Sequence, residues 1–211
     1  MKTILCYGDS LTWGYNAEGP GRHSYDDRWP SVVAHQLGSL ARVIPEGLNG
    51  RTTVYDDHLA AADRNGARIL PTILASHEPI DIVVLALGTN DLKPHTGGGT
   101  AFQASAGIQR LIGIVREFRS SIGFGTPDIL IVSPPVVVPT EDPDFRQMFG
   151  GAIEESKLLK KAYARVAQRE QCAHLAASDH CEATPLDGVH LDAENTRALG
   201  FALASALKSL F

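Results

Sequence analysis

A serine hydroxyl is a poor nucleophile until a base takes its proton, and imidazole is well suited to take it. The 211-residue sequence carries the parts for such chemistry at its two ends: Ser10 in Gly8-Asp9-Ser10-Leu11, and Asp187-Gly188-Val189-His190. His190 has the character of a general base. Asp187 stands three residues earlier, so one loop can deliver both and let the carboxylate hold the imidazole in one tautomer. Attack on an acyl carbon also creates an oxyanion, which calls for about two or three aimed donors. Candidates are the Ser10 N–H, the Gly50 N–H in Gly47-Leu48-Asn49-Gly50, and the Asn90 amide in Gly88-Thr89-Asn90-Asp91. Ser10 is read as opening a helix, where free N–H groups and the dipole favour a developing anion. Each piece alone is weak, because a capping serine or a strand-end turn would explain any one of them. Their joint placement carries the information.

That placement depends on the elements in between. Short apolar runs alternate with longer amphipathic ones. Strands are expected at Thr3–Gly8, Ala41–Glu46, Ile80–Leu87, Asp128–Ser133 and Cys172–Ala177. Helices are expected at Arg28–Leu40, Ala67–Ser76 despite Pro71, Ala101–Arg119, Gly151–Gln171 and Asp192–Leu210, the last with Asp192 as N-cap. The run from Ile80 to Leu87 reads as a strand buried on both faces. Strand-helix alternation of this kind predicts an α/β fold: a flavodoxin-like three-layer α/β/α sandwich with a five-stranded parallel sheet, forming one domain over residues 1–211. Ligands in such sheets bind beyond the carboxyl ends of the strands, where the four segments above are expected to fall. Two long loops, Gly14–Asp27 and Pro134–Gly150, interrupt the pattern. The second is apolar for a loop, and is expected to cover the site or a subunit contact.

The four segments together resemble the blocks of the SGNH (GDSL) hydrolase superfamily, in its order and spacing. Longer stretches are similar to one subgroup, the aryl esterases and acyltransferases, which include perhydrolase-like proteins. These are Leu5 to Gly14, Glu46 to Thr53, and Val132-Ser133-Pro134-Pro135. The resemblance implies Ser10 as nucleophile, His190 as base, Asp187 as its orienter, and an oxyanion hole from Ser10, Gly50 and Asn90. It implies small, often acetyl, ester substrates, with water, an alcohol or hydrogen peroxide as acyl acceptor. It also implies a homo-oligomer of octamer-like kind. Similar proteins can carry Ser-Ala where this chain has Asn49-Gly50. Asn49 is therefore a candidate for shaping the acyl pocket, and Trp13, one turn beyond Ser10, for walling the acyl or alcohol site. Asp9, Asp91 and Arg51 read as loop supports.

Composition closes off other classes. A hydrophobic fraction of 44% and a charged fraction of 20% fit a globular chain, not a disordered one. The net charge of −5 and the lack of a basic run argue against nucleic acid as a partner. No apolar run approaches the ~20 residues of a membrane helix. The N-terminus does not read as a signal peptide, and three cysteines do not make a disulfide framework, so a cytoplasmic protein is expected. Cys172, His174, His180 and Cys181 are the right types for zinc but lack a knuckle spacing. No metal or other cofactor is expected. Competing readings are a lysophospholipase or carbohydrate deacetylase on the same residues, and a non-catalytic flavodoxin-like ligand-binding module. The last would put the Asp9 carboxylate in a phosphate loop and leave Asp187 and His190 without a task.

Overall fold

The computed structural model describes residues 1–19 and 21–211, so within the loop Gly14–Asp27 only Pro20 lies outside the described residues. Five strands, β1 (Lys2–Gly8), β2 (Ala41–Gly47), β3 (Ile82–Ala86), β4 (Asp128–Ser133) and β5 (Ala173–Ala176), form one all-parallel sheet in the order β2-β1-β3-β4-β5. Among the described residues seven α-helices accompany it: α1 (Ser10–Trp13), α2 (Trp29–Leu37), α3 (Gly66–His77), α4 (Ala101–Glu117), α5 (Pro143–Met148), α6 (Ala152–Glu170) and α7 (Ala193–Lys208).

The strands alternate in side-chain direction, and each face finds its own helices. Leu5, Tyr7, Val83, Leu85, Ile129 and Ile131 share a core with Leu70 and Leu74 of α3, Ile108 and Leu111 of α4, and Leu159 and Tyr163 of α6. Ile4, Cys6, Ile82, Val84, Leu130 and Val132 pack instead with Trp29 and Val33 of α2 and Leu199 and Leu203 of α7. The result is the expected three-layer sandwich. Full burial of each such aliphatic side chain stabilises the fold by roughly 1.5–3 kcal/mol before entropy is counted.

Boundaries differ from the sequence reading where local chemistry intervenes. Helix α2 stops at Leu37, because Gly38 turns at φ +51° and a short 3₁₀ turn follows to Leu40. Strand β3 starts at Ile82, two residues later than its apolar run. Asp81, just before it, uses its carboxylate to accept from the Thr3 N–H (2.7 Å) and from Lys2 Nζ (3.1 Å). The long 134–150 loop contains a helix, α5. Asp142 caps it by accepting from the N–H groups of Asp144 and Phe145 at 3.0 Å each.

The strand order sets the position of the site. In a 2-1-3-4-5 sheet the order of strand addition reverses between β1 and β3, leaving a crevice at their carboxyl ends. Ser10 follows β1 and Asn90 follows β3.

Candidate active site

Strand β1 ends at Gly8, and Asp9 turns the chain into the single turn α1. Asp9, not Ser10, is the N-cap: its carboxylate accepts from the Leu11 N–H at 3.0 Å. Ser10 is thereby left with its hydroxyl free for other work. Its Oγ lies 2.8 Å from His190 Nε2, and His190 Nδ1 lies 2.6 Å from Asp187 Oδ2. All three residues are buried.

The loop before α7 delivers Asp187 and His190 together. Asp187 Oδ1 accepts from the N–H groups of Val189 and His190, each at 2.9 Å. Gly188 makes this tight return possible at φ +79°, a conformation that strains L side chains, and a Cβ there would lie 2.4 Å from the Val138 carbonyl. The 134–150 loop is fastened to the same turn. Val138 N–H donates to the Gly188 carbonyl and Thr140 Oγ1 to that of Leu186, both at 2.9 Å. Burial pushes the Asp187 carboxyl up. The hydrogen bonds from His190 and Val189 and the nearby imidazole outweigh that and hold it below the ordinary range.

Asn90 opens a 3₁₀ turn after β3. Its Nδ2 donates to the Arg51 carbonyl at 3.1 Å and lies 3.4 Å from Asp9 Oδ2. Gly50 sits between β2 and α3 at φ +81°. Arg51 locks this loop to the sheet. Its guanidinium donates to the carbonyls of Gly8 (2.9 Å) and Glu46, and stacks 4.1 Å from the Tyr7 ring centroid. One side chain thus ties the ends of β1 and β2 together, as a loop support should. Arg51→Ala would leave those carbonyls unpaired in a buried place. A loss of about 2–4 kcal/mol is expected, measurable by chemical denaturation.

Two carboxyls lie buried beneath the crevice. Burial drives Asp9 up to about 6, against the Leu11 hydrogen bond and nearby cations. It drives Asp91 up to about 7, against hydrogen bonds from the Thr53 N–H and hydroxyl. Both serve as hydrogen-bond acceptors for loops rather than facing the crevice chemistry.

Ser10, His190, Asn49, Gly50 and Asn90 all line one cleft of about 330 Å³. Trp13 is not among the lining residues; the Arg22 guanidinium covers its ring at 4.6 Å. One wall is apolar and aromatic. The Tyr15 ring lies 4.1 Å from the His190 ring centroid and Phe145 5.7 Å from it edge-on, with Met148 and Phe149 beyond. A charged wall completes the lining with Asp57, Arg64, Lys93 and His95, and adjoins the aromatic one where Lys93 Nζ lies 5.2 Å from the Phe149 ring centroid. The sequence marks the 134–150 loop as apolar, and its Phe145 does cover the site. It does not mark Tyr15, Arg64 or Lys93. Tyr15 begins a long loop and Lys93 stands three residues after Asn90, which are weak signals; Arg64 has none.

Among the described residues, no group of three or more His, Cys, Asp and Glu side chains is arranged to hold a metal ion. Two of the four residues considered for zinc have other partners: His174 Nε2 meets Ser133 Oγ at 3.1 Å, and Cys181 is buried and donates to the Ala177 carbonyl. No helix among the described residues is long and apolar enough to cross a membrane.

This order of hydroxyl, imidazole and carboxylate, beside candidate amide donors, is able to activate an oxygen nucleophile and receive its proton. Comparison with known proteins supplies the family. The family model for GDSL-like lipases and acylhydrolases matches residues 6–197. The chain belongs to this family. Among solved structures, the hydrolase is 53% identical to a carbohydrate acetylesterase family member from Sinorhizobium meliloti, over 100% of this chain and 99% of that one, with a TM-score of 0.97. It is 38% identical to Est24, a carbohydrate acetylesterase from the same organism, over 100% of both chains, TM-score 0.94. It is also 38% identical to the aryl esterase of M. smegmatis, over 100% of both, TM-score 0.92. No curated protein matches it significantly.

Proposed function

We propose that this hydrolase is a serine esterase acting on small-acyl (acetyl-type) and aryl esters through an acyl-enzyme on Ser10. The observation that carries the reading is the unbroken chain Ser10 Oγ–His190–Asp187, with spacings of 2.8 and 2.6 Å, at the wall of an open cleft. With Asp187 ionised, Nδ1 carries the imidazole proton and Nε2 is free to accept that of Ser10. His190 takes this proton as Oγ attacks the acyl carbon. It then gives the proton to the departing alkoxide or phenoxide. The Ser10 and Gly50 N–H groups and the Asn90 amide stabilise the oxyanion. Water, activated by His190, releases the acid and restores Ser10.

The leaving group must lie next to His190 to receive its proton. Tyr15 and Phe145 flank that ring and offer faces to an aryl or sugar alcohol. The relatives that are aryl esterases and carbohydrate acetylesterases point to the same two kinds of alcohol. An alcohol or hydrogen peroxide replaces water as acceptor when it occupies that place. Asn49 contacts the substrate from the cleft wall, whereas Trp13, under Arg22, supports α1. The protein works as a homo-oligomer in the cytoplasm without a cofactor. Assembly is supported by apolar side chains in the open, such as Phe102 at 79% exposure.

The test is intact-protein mass after brief exposure to an organophosphonate ester probe. A single adduct on wild type and none on Ser10→Ala is expected. No adduct on either protein would overturn the reading and return weight to a ligand-binding module.

A further inference from the structure

The charged wall of the cleft is out of balance. Lys93 is 8% exposed, yet among the described residues no hydrogen-bond acceptor and no carboxylate within 4 Å engages its ammonium. The Phe149 ring centroid lies 5.2 Å from Nζ, and a cation over a ring face gains less than one paired with a carboxylate. Burial accordingly holds its pKa below the ordinary value, with Asp57 and Asp9 pulling the other way and Arg64 adding to the depression. Arg64 lines the same wall, also with no carboxylate within 4 Å of its guanidinium. Its Nε passes 3.4 Å from where a Cβ on Gly50 would stand, so it borders the candidate oxyanion donors. The one carboxylate on this wall, Asp57, is engaged elsewhere. It accepts from the Leu59 N–H at 3.1 Å and lies 3.6 Å from His95 Nε2. The wall thus presents two cations with no carboxylate within 4 Å, the Lys93 stem buried and both side chains lining the cleft. A cation that faces the cleft with no carboxylate of its own is a ready partner for a ligand anion, which it can meet with a charge-assisted hydrogen bond.

Direction follows from the chemistry, and here the inference rests on the esterase reading. The alcohol part lies by His190 and the aromatic wall. The oxyanion points at Ser10, Gly50 and Asn90. The acyl chain is what remains to run along the wall of Arg64 and Lys93. We propose that Lys93 and Arg64 form an anion subsite for the acyl part, so that short acyl chains ending in a carboxylate are preferred over neutral chains of equal length. A cleft of about 330 Å³ is small for a ligand site, which limits the chain to a few carbons.

The experiment compares kcat/KM by pH-stat for monomethyl glutarate and methyl pentanoate, and for acetoxyacetate and ethyl acetate. In wild type, monomethyl glutarate is expected to exceed methyl pentanoate about tenfold or more, mainly through KM, the size of one charge-assisted pair. Acetoxyacetate, with its carboxylate on the alcohol side, is expected to gain nothing over ethyl acetate. Lys93→Met should collapse the glutarate-to-pentanoate ratio to near one, and Lys93→Arg should restore much of it. Free glutarate should compete with methyl pentanoate in wild type, a readout that needs no variant to fold. Equal rates on the two acyl chains, a preference only for acetoxyacetate, or an unchanged ratio in Lys93→Met would each overturn the subsite. An enzyme active on neutral esters with no anion preference would fail the subsite alone. An enzyme inert toward all four would fail the esterase reading with it.

Discussion

Ser10→Ala is expected to lower kcat on a small acetate ester by roughly five to six orders of magnitude, or about 7–8 kcal/mol of transition-state stabilisation. The removed oxygen is the atom that would bond to the acyl carbon, so no other group in the cleft can take its place. The loss should fall short of abolishing all acceleration. The Ser10 N–H, Gly50 and Asn90 remain, and His190 is still positioned to activate a water, so a residue of roughly 10³-fold over solution is expected. The fold should stand. Ser10 Oγ is bonded to His190 alone, and α1 is capped by Asp9, so stability should shift by about 1 kcal/mol or less. Steady-state rates beside a denaturation curve check both halves. A folded Ser10→Ala protein turning over at wild-type speed would remove Ser10 from the mechanism.

The contrast between what α1 does and what Ser10 does shows how far the sequence carries. Gly8-Asp9-Ser10 could be read as a strand end and a helix start, because β1 is apolar and the next residues are small and polar. Which of Asp9 and Ser10 caps the helix was not readable, since both are good caps. Only the backbone, with Asp9 Oδ1 at 3.0 Å from Leu11 N, decides that Asp9 caps and Ser10 is free. The Asp187–His190 spacing was readable for a similar reason: a short i to i+3 turn is local, and Gly188 marks the place where the chain must fold back. The walls of the cleft were not local. Tyr15, Phe145 and Lys93 meet there from three distant segments, and each has an ordinary surface or core explanation in its own stretch of sequence. Phe145 was only foreseen as part of an unusually apolar loop. The parallel sheet, by contrast, followed from alternation, and ligands in such sheets bind beyond the carboxyl ends of the strands, so the rim that carries the cleft was legible before its lining was.

Asp187→Asn separates orientation from burial, and its expected effect is nearly as large, a drop of roughly 10⁴ in kcat. The amide can keep its oxygen where Oδ1 accepts from Val189 and His190, which preserves the turn. Its NH₂ then faces His190 Nδ1 and forces that nitrogen to be the acceptor. The imidazole proton moves to Nε2, the atom facing Ser10, and the base is lost although every heavy atom is in place. Flipping the amide would restore the tautomer only by setting NH₂ against two backbone N–H groups. Stability should report the same charge through its pH dependence. Because the Asp187 carboxyl is held below its ordinary range in the folded chain, it contributes stability that is present above the unfolded value of about 3.9 and is lost as pH falls through the folded one. The amide has no such contribution. The stability gap between wild type and Asp187→Asn should therefore be widest near neutral pH and shrink in acid. Asp9, raised to about 6, has the opposite sign, losing stability as pH rises from 3.8 toward that value, but it is common to both proteins and cancels in the difference. Rates within tenfold of wild type for the variant, or a stability gap that widens as pH falls, would mean that Asp187 neither fixes the tautomer nor carries its charge as the geometry requires.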